Sequence, residues 1–273
     1  MNPLRFASRS VWTTYWQFMR HYHRFEVDGL EHILRLRGSA ILAGYHGKPG
    51  ARDLIMLQIL LLREYGEITR AIVHDAAFII PGLREVGAGM LLIDREPSSI
   101  AAAVARGEKL VVTPGGIAEA WGSVRDRNRV DWKGLGYLRV AARHGLPVVP
   151  IAGIGVDDAF LGLYNAYRLW KPVWERLRLP AGTGLWLGVG PCGFWPFTPP
   201  FPVRIVQHIG RPLHLEEEGV KGPDDQEGLA RVHERIVATV QGMLDQGRAR
   251  ARGRAGEQGG INWIDQGTTQ ATT

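Results

Sequence analysis

The segment SAILAGYHGKPGARDLIMLQILLL, residues 39–62, contains two apolar runs separated by a turn rich in glycine and proline. The first run, residues 41–45, is short and predicts a buried strand, whereas the second, residues 54–62, is long enough to predict a helix. A buried strand followed by a helix is the repeating unit of α/β proteins. This segment therefore predicts one strand of a core sheet, a loop, and a helix that packs on that sheet.

The loop between this strand and this helix carries two candidate catalytic residues, His46 and Asp53. His46 follows the strand, where the loops of α/β sheets collect ligand-binding groups. An imidazole with a pKa near the reference value of about 6.5 takes a proton from a hydroxyl when a carboxylate fixes its tautomer. Asp53 is a candidate for that carboxylate. The plainer interpretations are a hydrogen-bonded loop histidine and a helix N-cap, which is the commoner role of an aspartate at such a position.

A second histidine–aspartate pair, His74 and Asp75, lies at the end of the next predicted strand, residues 68–74. Adjacent residues of an extended chain face opposite ways, so this pair is a weaker candidate. Arg95 ends a short predicted strand and is a candidate anion clamp. A surface ion pair with its neighbour Asp94 is the alternative for Arg95.

The apolar strand predicted at residues 110–113 runs directly into Pro114, Gly115 and Gly116. Two glycines at the end of a strand allow backbone N–H groups to approach a substrate closely, either as an anion nest or as an oxyanion hole. An ordinary tight turn is the alternative. Arginines 125, 127 and 129 and Lys133 follow this turn, so the loop offers contacts for coenzyme phosphates, although such a charge run is usually a solvated loop.

The composition restricts the class of protein. The 273 residues suffice for one large α/β domain, and 45% apolar with 22% charged residues excludes wholesale disorder. The single cysteine, Cys192, excludes an internal disulfide and a cysteine-based zinc cluster and favours a reducing compartment. We therefore expect a cytoplasmic protein without a bound metal.

The charge and the aromatic residues indicate an anionic partner. A formal net charge of +6 suits membrane headgroups, coenzyme phosphates or nucleic acid. We find no RNA-binding motif and expect no nucleic-acid partner. Nine tryptophans favour a bilayer interface, whereas no apolar run reaches the roughly 20 residues that cross a membrane, and the N-terminus lacks a cleavable-signal pattern. These features predict a peripheral membrane protein.

Composition and periodicity divide the chain into three predicted segments. Residues 1–37 contain an amphipathic helix that either lies in a membrane interface or covers the core. Residues 38–246 form the α/β domain, including the stretch 160–201, whose interleaved aromatic and basic residues suit an interfacial or acyl-binding surface. Residues 247–273 are rich in Gly, Arg, Gln and Thr, and we expect them to be disordered.

Four blocks, in chain order, resemble the glycerolipid acyltransferase superfamily and especially its diacylglycerol acyltransferase type-two-like branch. The blocks are GYHGKPGARD (residues 44–53), GMLLIDR (89–95), TPGGIAEAW (113–121) with DWKGLGYLRVAARHGLPVVPIAGIG (131–155), and VQHIGRPLHL (206–215). The third is the most specific, because the branch shows the same Pro-Gly-Gly-x-x-Glu, then Lys-Gly, then a helix into Val-Pro.

The resemblance implies a single α/β domain with a mixed β-sheet flanked by helices. It also implies transfer of a fatty acyl group from acyl-CoA or an acyl carrier protein to a hydroxyl of a lipid alcohol, at the cytoplasmic face of a membrane, in glycerolipid or phospholipid biosynthesis. His46 would be the general base and Asp53 its orienting carboxylate. The substrate-binding residues carried over from the blocks are Arg95, Pro114, Gly115, Gly116, Glu119 and Lys133. No metal or bound cofactor is implied.

Two departures from the family pattern affect the expected site. Six residues separate His46 from Asp53, where four are usual, so the role of Asp53 is less secure than that of His46. Gly115 replaces the glutamate of the phosphate-acceptor enzymes, and the arginine of their motif is absent. We therefore expect a neutral acceptor, such as a mono- or diacylglycerol, with lysophosphatidic acid as the second choice.

Two other function classes stay open. His46 would activate water in a thioesterase or hydrolase, although the chain contains no Gly-x-Ser-x-Gly elbow. A basic, tryptophan-rich chain also suits a non-catalytic module that binds membrane lipids. Replacing His46 distinguishes these alternatives, because lipid binding does not require a base.

Overall fold

The computed structural model describes residues 2–73, 83–179 and 182–259. Its α-helices there are α1 (Pro3–Tyr22), α2 (Glu31–Leu34), α3 (Arg52–Tyr65), α4 (Leu83–Gly89), α5 (Pro97–Ala105), α6 (Gly116–Ala120), α7 (Gly136–His144), α8 (Ala166–Leu177) and α9 (Gln226–Gly259). Its strands there are β1 (Glu26–Asp28), β2 (Ile41–Gly44), β3 (Thr69–Ile72), β4 (Leu92–Ile93), β5 (Lys109–Val112), β6 (Val148–Ile154), β7 (Leu161–Gly162), β8 (Gly188–Gly190), β9 (Gly193–Phe194) and β10 (Val206–Ile209).

Within the described ranges, seven strands form one mixed sheet in the order β1-β10-β6-β2-β5-β3-β4. The five strands from β6 to β4 in that order are parallel, and β10 runs antiparallel to β6. Parallel strands end at the same edge of a sheet, so the loops that follow β2, β5 and β6 lie together. A smaller antiparallel sheet contains β7, β8 and β9.

The central strand β2 separates two apolar layers, because successive side chains of a strand point to opposite faces. Leu42 belongs to the cluster that contains Leu57 of α3, whereas Ile41 belongs to the cluster that contains Leu138 of α7 and Ile236 of α9. Helices therefore cover both faces of the sheet. The predicted α/β fold, with a mixed sheet between helices, is confirmed.

The start of α3 differs from the prediction. The helix begins at Arg52, and its N-cap is Ala51, which lies in the left-handed region at φ 47 and makes no side-chain cap hydrogen bond. Asp53 is the second residue of the helix, so its predicted position as the N-cap is wrong. The extra turn Gly47–Ala51, closed by the Ala51 N–H to the Gly47 carbonyl at 3.2 Å, shifts the helix start.

The N-terminal helix α1 has two apolar sides. Trp16 and Met19 are buried, and α1 packs on α3 and α4. Leu4, Val11, Tyr15 and Phe18 lie at helical spacing and are exposed. The helix thus covers the core and also leaves an apolar stripe on the surface.

The C-terminal helix α9 is longer than the sequence predicts. It continues to Gly259, so the part of the expected disordered tail between 247 and 259 is helical. Residues 260–273 lie outside the described residues. Across the described ranges, every helix is too short or too polar to span a bilayer.

Candidate active site

His46 lies two residues after the end of β2, at the carboxyl edge of the sheet. β5, which leads into the Pro114–Gly116 turn, pairs with β2 on one side, and β6 pairs with it on the other. The histidine, the glycine turn and the loop after β6 therefore share one end of the sheet, because the loops that follow neighbouring parallel strands lie at the same edge.

The tautomer of His46 is fixed by the backbone. Its Nδ1 lies 3.1 Å from the Gly47 carbonyl oxygen. A carbonyl oxygen only accepts hydrogen bonds, so Nδ1 carries the proton and Nε2 of the neutral ring has the lone pair. The side chain is half-buried, and burial lowers the pKa of His46. A neutral imidazole with a free Nε2 is the form that a general base requires at neutral pH.

Glu119, on the first turn of α6, holds the backbone of His46. Its side chain accepts hydrogen bonds from the His46 N–H at 2.9 Å, the Asp131 N–H at 2.8 Å and the Trp132 Nε1–H at 3.2 Å. Glu119 is only 4% exposed, and burial raises its pKa to about 8. The structure thus places this predicted substrate-binding residue as a positioning residue behind the histidine.

Gly115 makes room for that carboxylate. A Cβ at Gly115 would lie 2.1 Å from Cδ of Glu119, which is far inside van der Waals contact. The side chain at 119 therefore occupies the space that a glutamate at 115 would need. The absence of a side chain at 115, which the family pattern marks as a departure, has a steric cause here.

One backbone N–H of the Pro114–Gly116 turn forms a hydrogen bond within the turn. The Gly116 N–H donates to the Thr113 carbonyl at 2.9 Å, and Gly116 has a φ of 51, where a Cβ is disfavoured. In the part of the chain that the structure describes, the Gly115 amide has no hydrogen-bond partner. Of the two predicted oxyanion donors, Gly115 is therefore the one whose N–H is not used within the turn.

Asp53 reaches the same edge of the sheet but contacts a different partner. Its Oδ2 accepts from Gln207 Nε2 at 3.1 Å, and the carboxylate lies against Gly153, whose Cβ would be 2.2 Å from Oδ2. Among the described residues, the hydrogen bond that orients the His46 ring comes from the Gly47 carbonyl and not from Asp53. Burial raises the pKa of Asp53 to about 7.

Asp157 is a positioning residue of the candidate site that the sequence analysis missed. It is fully buried after β6 and accepts hydrogen bonds from Tyr45 Oη at 2.7 Å, the Lys48 N–H at 3.0 Å and the Asn128 N–H at 2.7 Å. Lys48 Nζ lies 3.5 Å from the same carboxylate. Asp157 thereby fixes the residues on both sides of His46. Its position after the glycine at the end of an apolar strand was the available signal.

The remaining predicted residues lie farther from His46. Arg95 is exposed after β4, and two strands lie between β4 and β2 in the sheet, which corresponds to roughly 14 Å. Lys133 is exposed and pairs with Asp131 at 3.3 Å. His74 and Asp75 lie outside the described residues.

The predicted phosphate-binding loop borders a groove next to Glu119. This groove has a volume of about 610 Å³, and its charged lining includes Arg129, Lys133, Arg168 and Lys171 together with Asp126, Asp131 and Glu175. Arg127 instead pairs with Asp158 at 2.6 Å. The groove carries both signs of charge, so the basic loop does not form a purely cationic surface.

Asp53 and Glu119 together predict that stability falls with rising pH. A carboxyl with a raised pKa binds its proton more tightly in the folded state, so its stabilisation is lost as the pH rises through the folded-state pKa. The ordinary pKa values of these two carboxyls are 3.8 and 4.5 and the folded-state values are about 7 and about 8, so the loss extends from about pH 4 to about pH 8. The lowered pKa values of His23 and of half-buried His46 have the opposite effect on stability below pH 6.5, so the net fall in stability is clearest above pH 6.5.

We expect the thermal midpoint to fall by several degrees between pH 6.5 and 9, measured by circular dichroism. Asp53→Asn keeps an oxygen for Gln207 but does not titrate, so its midpoint should depend less on pH. A wild-type midpoint that is flat or rises over this range would contradict the prediction.

Comparison with known proteins identifies similar enzymes, two of which are named O-acyltransferases. A protein of Bos taurus named "DGAT1/2-independent enzyme synthesizing storage lipids" is 25% identical over 229 residues, which cover 82% of this chain and 64% of that protein. Human 2-acylglycerol O-acyltransferase 3 is 32% identical over 130 residues, covering 42% of this chain and 37% of that protein. Diacylglycerol O-acyltransferase 2B of Umbelopsis ramanniana is 25% identical over 167 residues, covering 58% of this chain and 46% of that protein. No family model matches the chain.

The fold is similar to that of a solved acyltransferase. The crystal structure of the 1-acyl-sn-glycerophosphate (LPA) acyltransferase PlsC from Thermotoga maritima matches with a TM-score of 0.52 and 15% sequence identity. The match covers 88% of this chain and 80% of that chain. At this identity the likeness concerns the fold alone.

Proposed function

The chain belongs to the glycerolipid acyltransferase superfamily, on its diacylglycerol acyltransferase type-two-like branch, and on this premise we propose that it transfers a fatty acyl group from a thioester to a hydroxyl of a lipid alcohol. The thioester is acyl-CoA or an acyl carrier protein. The reaction takes place at a membrane surface, at its cytoplasmic face. This chain spans 64% of the length of the Bos taurus relative. The activity is therefore proposed from the geometry of the candidate site and not from that relative.

The observation that carries the proposal is the state of His46. Its Nδ1–H is tied to the Gly47 carbonyl, its pKa is lowered by burial, and the residue as a whole is not fully buried. These three properties together define a base that is neutral, oriented and reachable. An imidazole sealed in the core would have excluded this function.

The reaction follows from that geometry. Nε2 of His46 takes the proton of the acceptor hydroxyl while the hydroxyl oxygen attacks the thioester carbonyl carbon. The negative charge on the carbonyl oxygen is stabilised by the Gly115 N–H. The tetrahedral intermediate then expels the thiolate, which takes the proton from the imidazolium. The products are the ester and the free thiol, and the proposed reaction uses no metal ion.

We propose a neutral acceptor, a mono- or diacylglycerol or a related lipid alcohol. The phosphate-acceptor enzymes carry a glutamate and an arginine in the motif where this chain has Gly115 and no arginine. Glu119 fills the space of that missing side chain and has its oxygens engaged by internal N–H groups. Lysophosphatidic acid is the second candidate acceptor, and a non-catalytic lipid-binding module is the alternative function.

Purified protein supplied with acyl-CoA and either monoacylglycerol or lysophosphatidate tests the acceptor. We expect faster transfer to monoacylglycerol, with the products quantified by mass spectrometry. Faster transfer to lysophosphatidate would reverse the preference and leave the acyltransferase proposal intact. Lipid binding without transfer to any acceptor, from acyl-CoA or from an acyl carrier protein, would favour the non-catalytic module.

A further inference from the structure

Arg52, the first residue of α3, is a buried cation beside the candidate active site. It is 8% exposed, and its guanidinium carbon lies 4.7 Å from the ring centroid of Phe160 and 5.9 Å from that of Trp16. Its Nε is buried without a hydrogen-bond partner. The loop that carries His46 ends at this residue, so the guanidinium belongs to the same end of the sheet.

The other buried lysines and arginines in the described ranges are paired. Lys48 has Asp157 at 3.5 Å, Arg70 has Glu108 at 3.0 Å and Lys109 has Glu67 at 2.6 Å. No carboxylate among the described residues forms an ion pair with Arg52. A buried charge without a counter-ion is costly, so the pattern of pairing elsewhere makes Arg52 an exception that needs a cause.

The surroundings of Arg52 are aromatic and reach the surface. Trp16 and Phe160 provide apolar walls, and Tyr15, whose side chain interacts with the guanidinium through a hydrogen bond, is 46% exposed. The N-terminus of the 14-residue helix α3 adds positive potential, and its N-cap supplies no oxygen. A cation between apolar walls and close to solvent matches a ligand that has both an anionic group and a hydrocarbon part.

We propose that Arg52 binds the negatively charged oxygen group of a single-chain lipid, either a phosphate or a carboxylate. A guanidinium pairs with both groups through two parallel hydrogen bonds, and the aromatic walls contact the adjoining hydrocarbon. The proposal rests on the proposed function only in that the ligand is a lipid, and the anionic lipid bound here is a ligand other than the neutral acceptor of that reaction. It assigns to this protein a second lipid-binding element, distinct from the His46 base.

Binding of short-chain lipids to the full chain tests this site without any turnover. The probes, below their micelle-forming concentrations, are a lysophosphatidate, a fatty acid and a monoacylglycerol of equal chain length, and inorganic phosphate. Binding is followed by tryptophan fluorescence, since Trp16 lies against Arg52. Arg52→Met removes the charge at similar length, and Arg37→Met removes one charge from an exposed position as the matched control.

We expect at least one of the two anionic lipids to bind more tightly than the monoacylglycerol. Arg52→Met should weaken that binding roughly tenfold and leave monoacylglycerol binding unchanged, while Arg37→Met matches wild type. A loss of affinity for the lysophosphatidate identifies phosphate as the group that Arg52 binds, and a loss for the fatty acid identifies carboxylate. Arg52→Gln serves as a second neutral variant if Arg52→Met does not fold.

Three results would overturn the proposal. They are unchanged anionic-lipid affinity in the neutral Arg52 variants, an equal loss in Arg37→Met, and binding of inorganic phosphate as tight as that of the anionic lipids. Failure of the proposed function is a separate outcome. A protein that binds these lipids through Arg52 but transfers no acyl group would support the Arg52 site and contradict the acyltransferase proposal.

Discussion

His46→Ala lowers the rate of acyl transfer by about 10²-fold or more, the range for loss of a general base. Without Nε2, no group in the described site accepts the hydroxyl proton during attack on the thioester. The fold should persist, because the side chain is only half-buried and its removal leaves the backbone hydrogen bond to Glu119 in place. Initial rates with purified protein, at saturating acyl donor and acceptor, measure the effect.

His214→Ala is the matched control, because His214 is an exposed histidine in the segment that pairs with the opposite end of β6. It should keep the wild-type rate. Lipid binding should be equal in wild type and both variants. A His46→Ala enzyme that retains more than a tenth of the wild-type rate would refute the mechanism, and loss of lipid binding together with activity would point to misfolding.

Glu119→Gln should be nearly as damaging as Glu119→Ala, although it is usually a mild change. Both oxygens of Glu119 accept hydrogen bonds from N–H groups. Oε1 accepts from the Asp131 N–H, and Oε2 accepts from the His46 N–H and from the Trp132 Nε1–H. Above the Glu119 pKa of about 8 both oxygens only accept hydrogen bonds, so the comparison is made at pH 9, where the NH₂ of an amide in place of one oxygen would face an N–H donor. A buried donor left unsatisfied costs about 1–3 kcal/mol, and displacement of the His46 backbone lowers the rate as well.

Thermal unfolding and transfer rates measure both consequences, with Glu175→Gln as the control because Glu175 lines the same groove but is exposed. We expect at least a tenfold loss of rate in Glu119→Gln and none in Glu175→Gln. Gly115→Ala should resemble Glu119→Gln, since its Cβ would displace the same carboxylate. Wild-type stability and rate in Glu119→Gln would show that the carboxylate does not hold the loop.

Local sequence signals predicted the backbone around the site better than its hydrogen bonds. The strand β2, the position of His46 after it, and the glycine turn after β5 follow from apolar runs and from glycine and proline, which act over a few residues. The helix start was misplaced because Ala51 adopts a left-handed conformation that its side chain does not encode.

The partners of Asp53 show why side-chain roles were harder to predict. Spacing along the chain brings Asp53 near His46, but the contact of its carboxylate is Gln207, which is 154 residues away in sequence. Asp157 was missed for the same reason, since its partners Tyr45 and Lys48 are more than 100 residues earlier. Such contacts depend on strand order and register, which no local pattern contains.

The sequence alone determined that this chain forms an α/β sheet, that a histidine follows its first core strand, and that its motifs are those of a glycerolipid acyltransferase. The first two features arise from hydrophobic periodicity and short-range backbone preferences, whereas the third rests on the resemblance of four sequence blocks to the family. Only the tertiary structure decided which groups hold His46: the Gly47 carbonyl on its ring and Glu119 on its backbone. The physical reason is that burial and hydrogen bonding are set by segments that meet only after the sheet has formed.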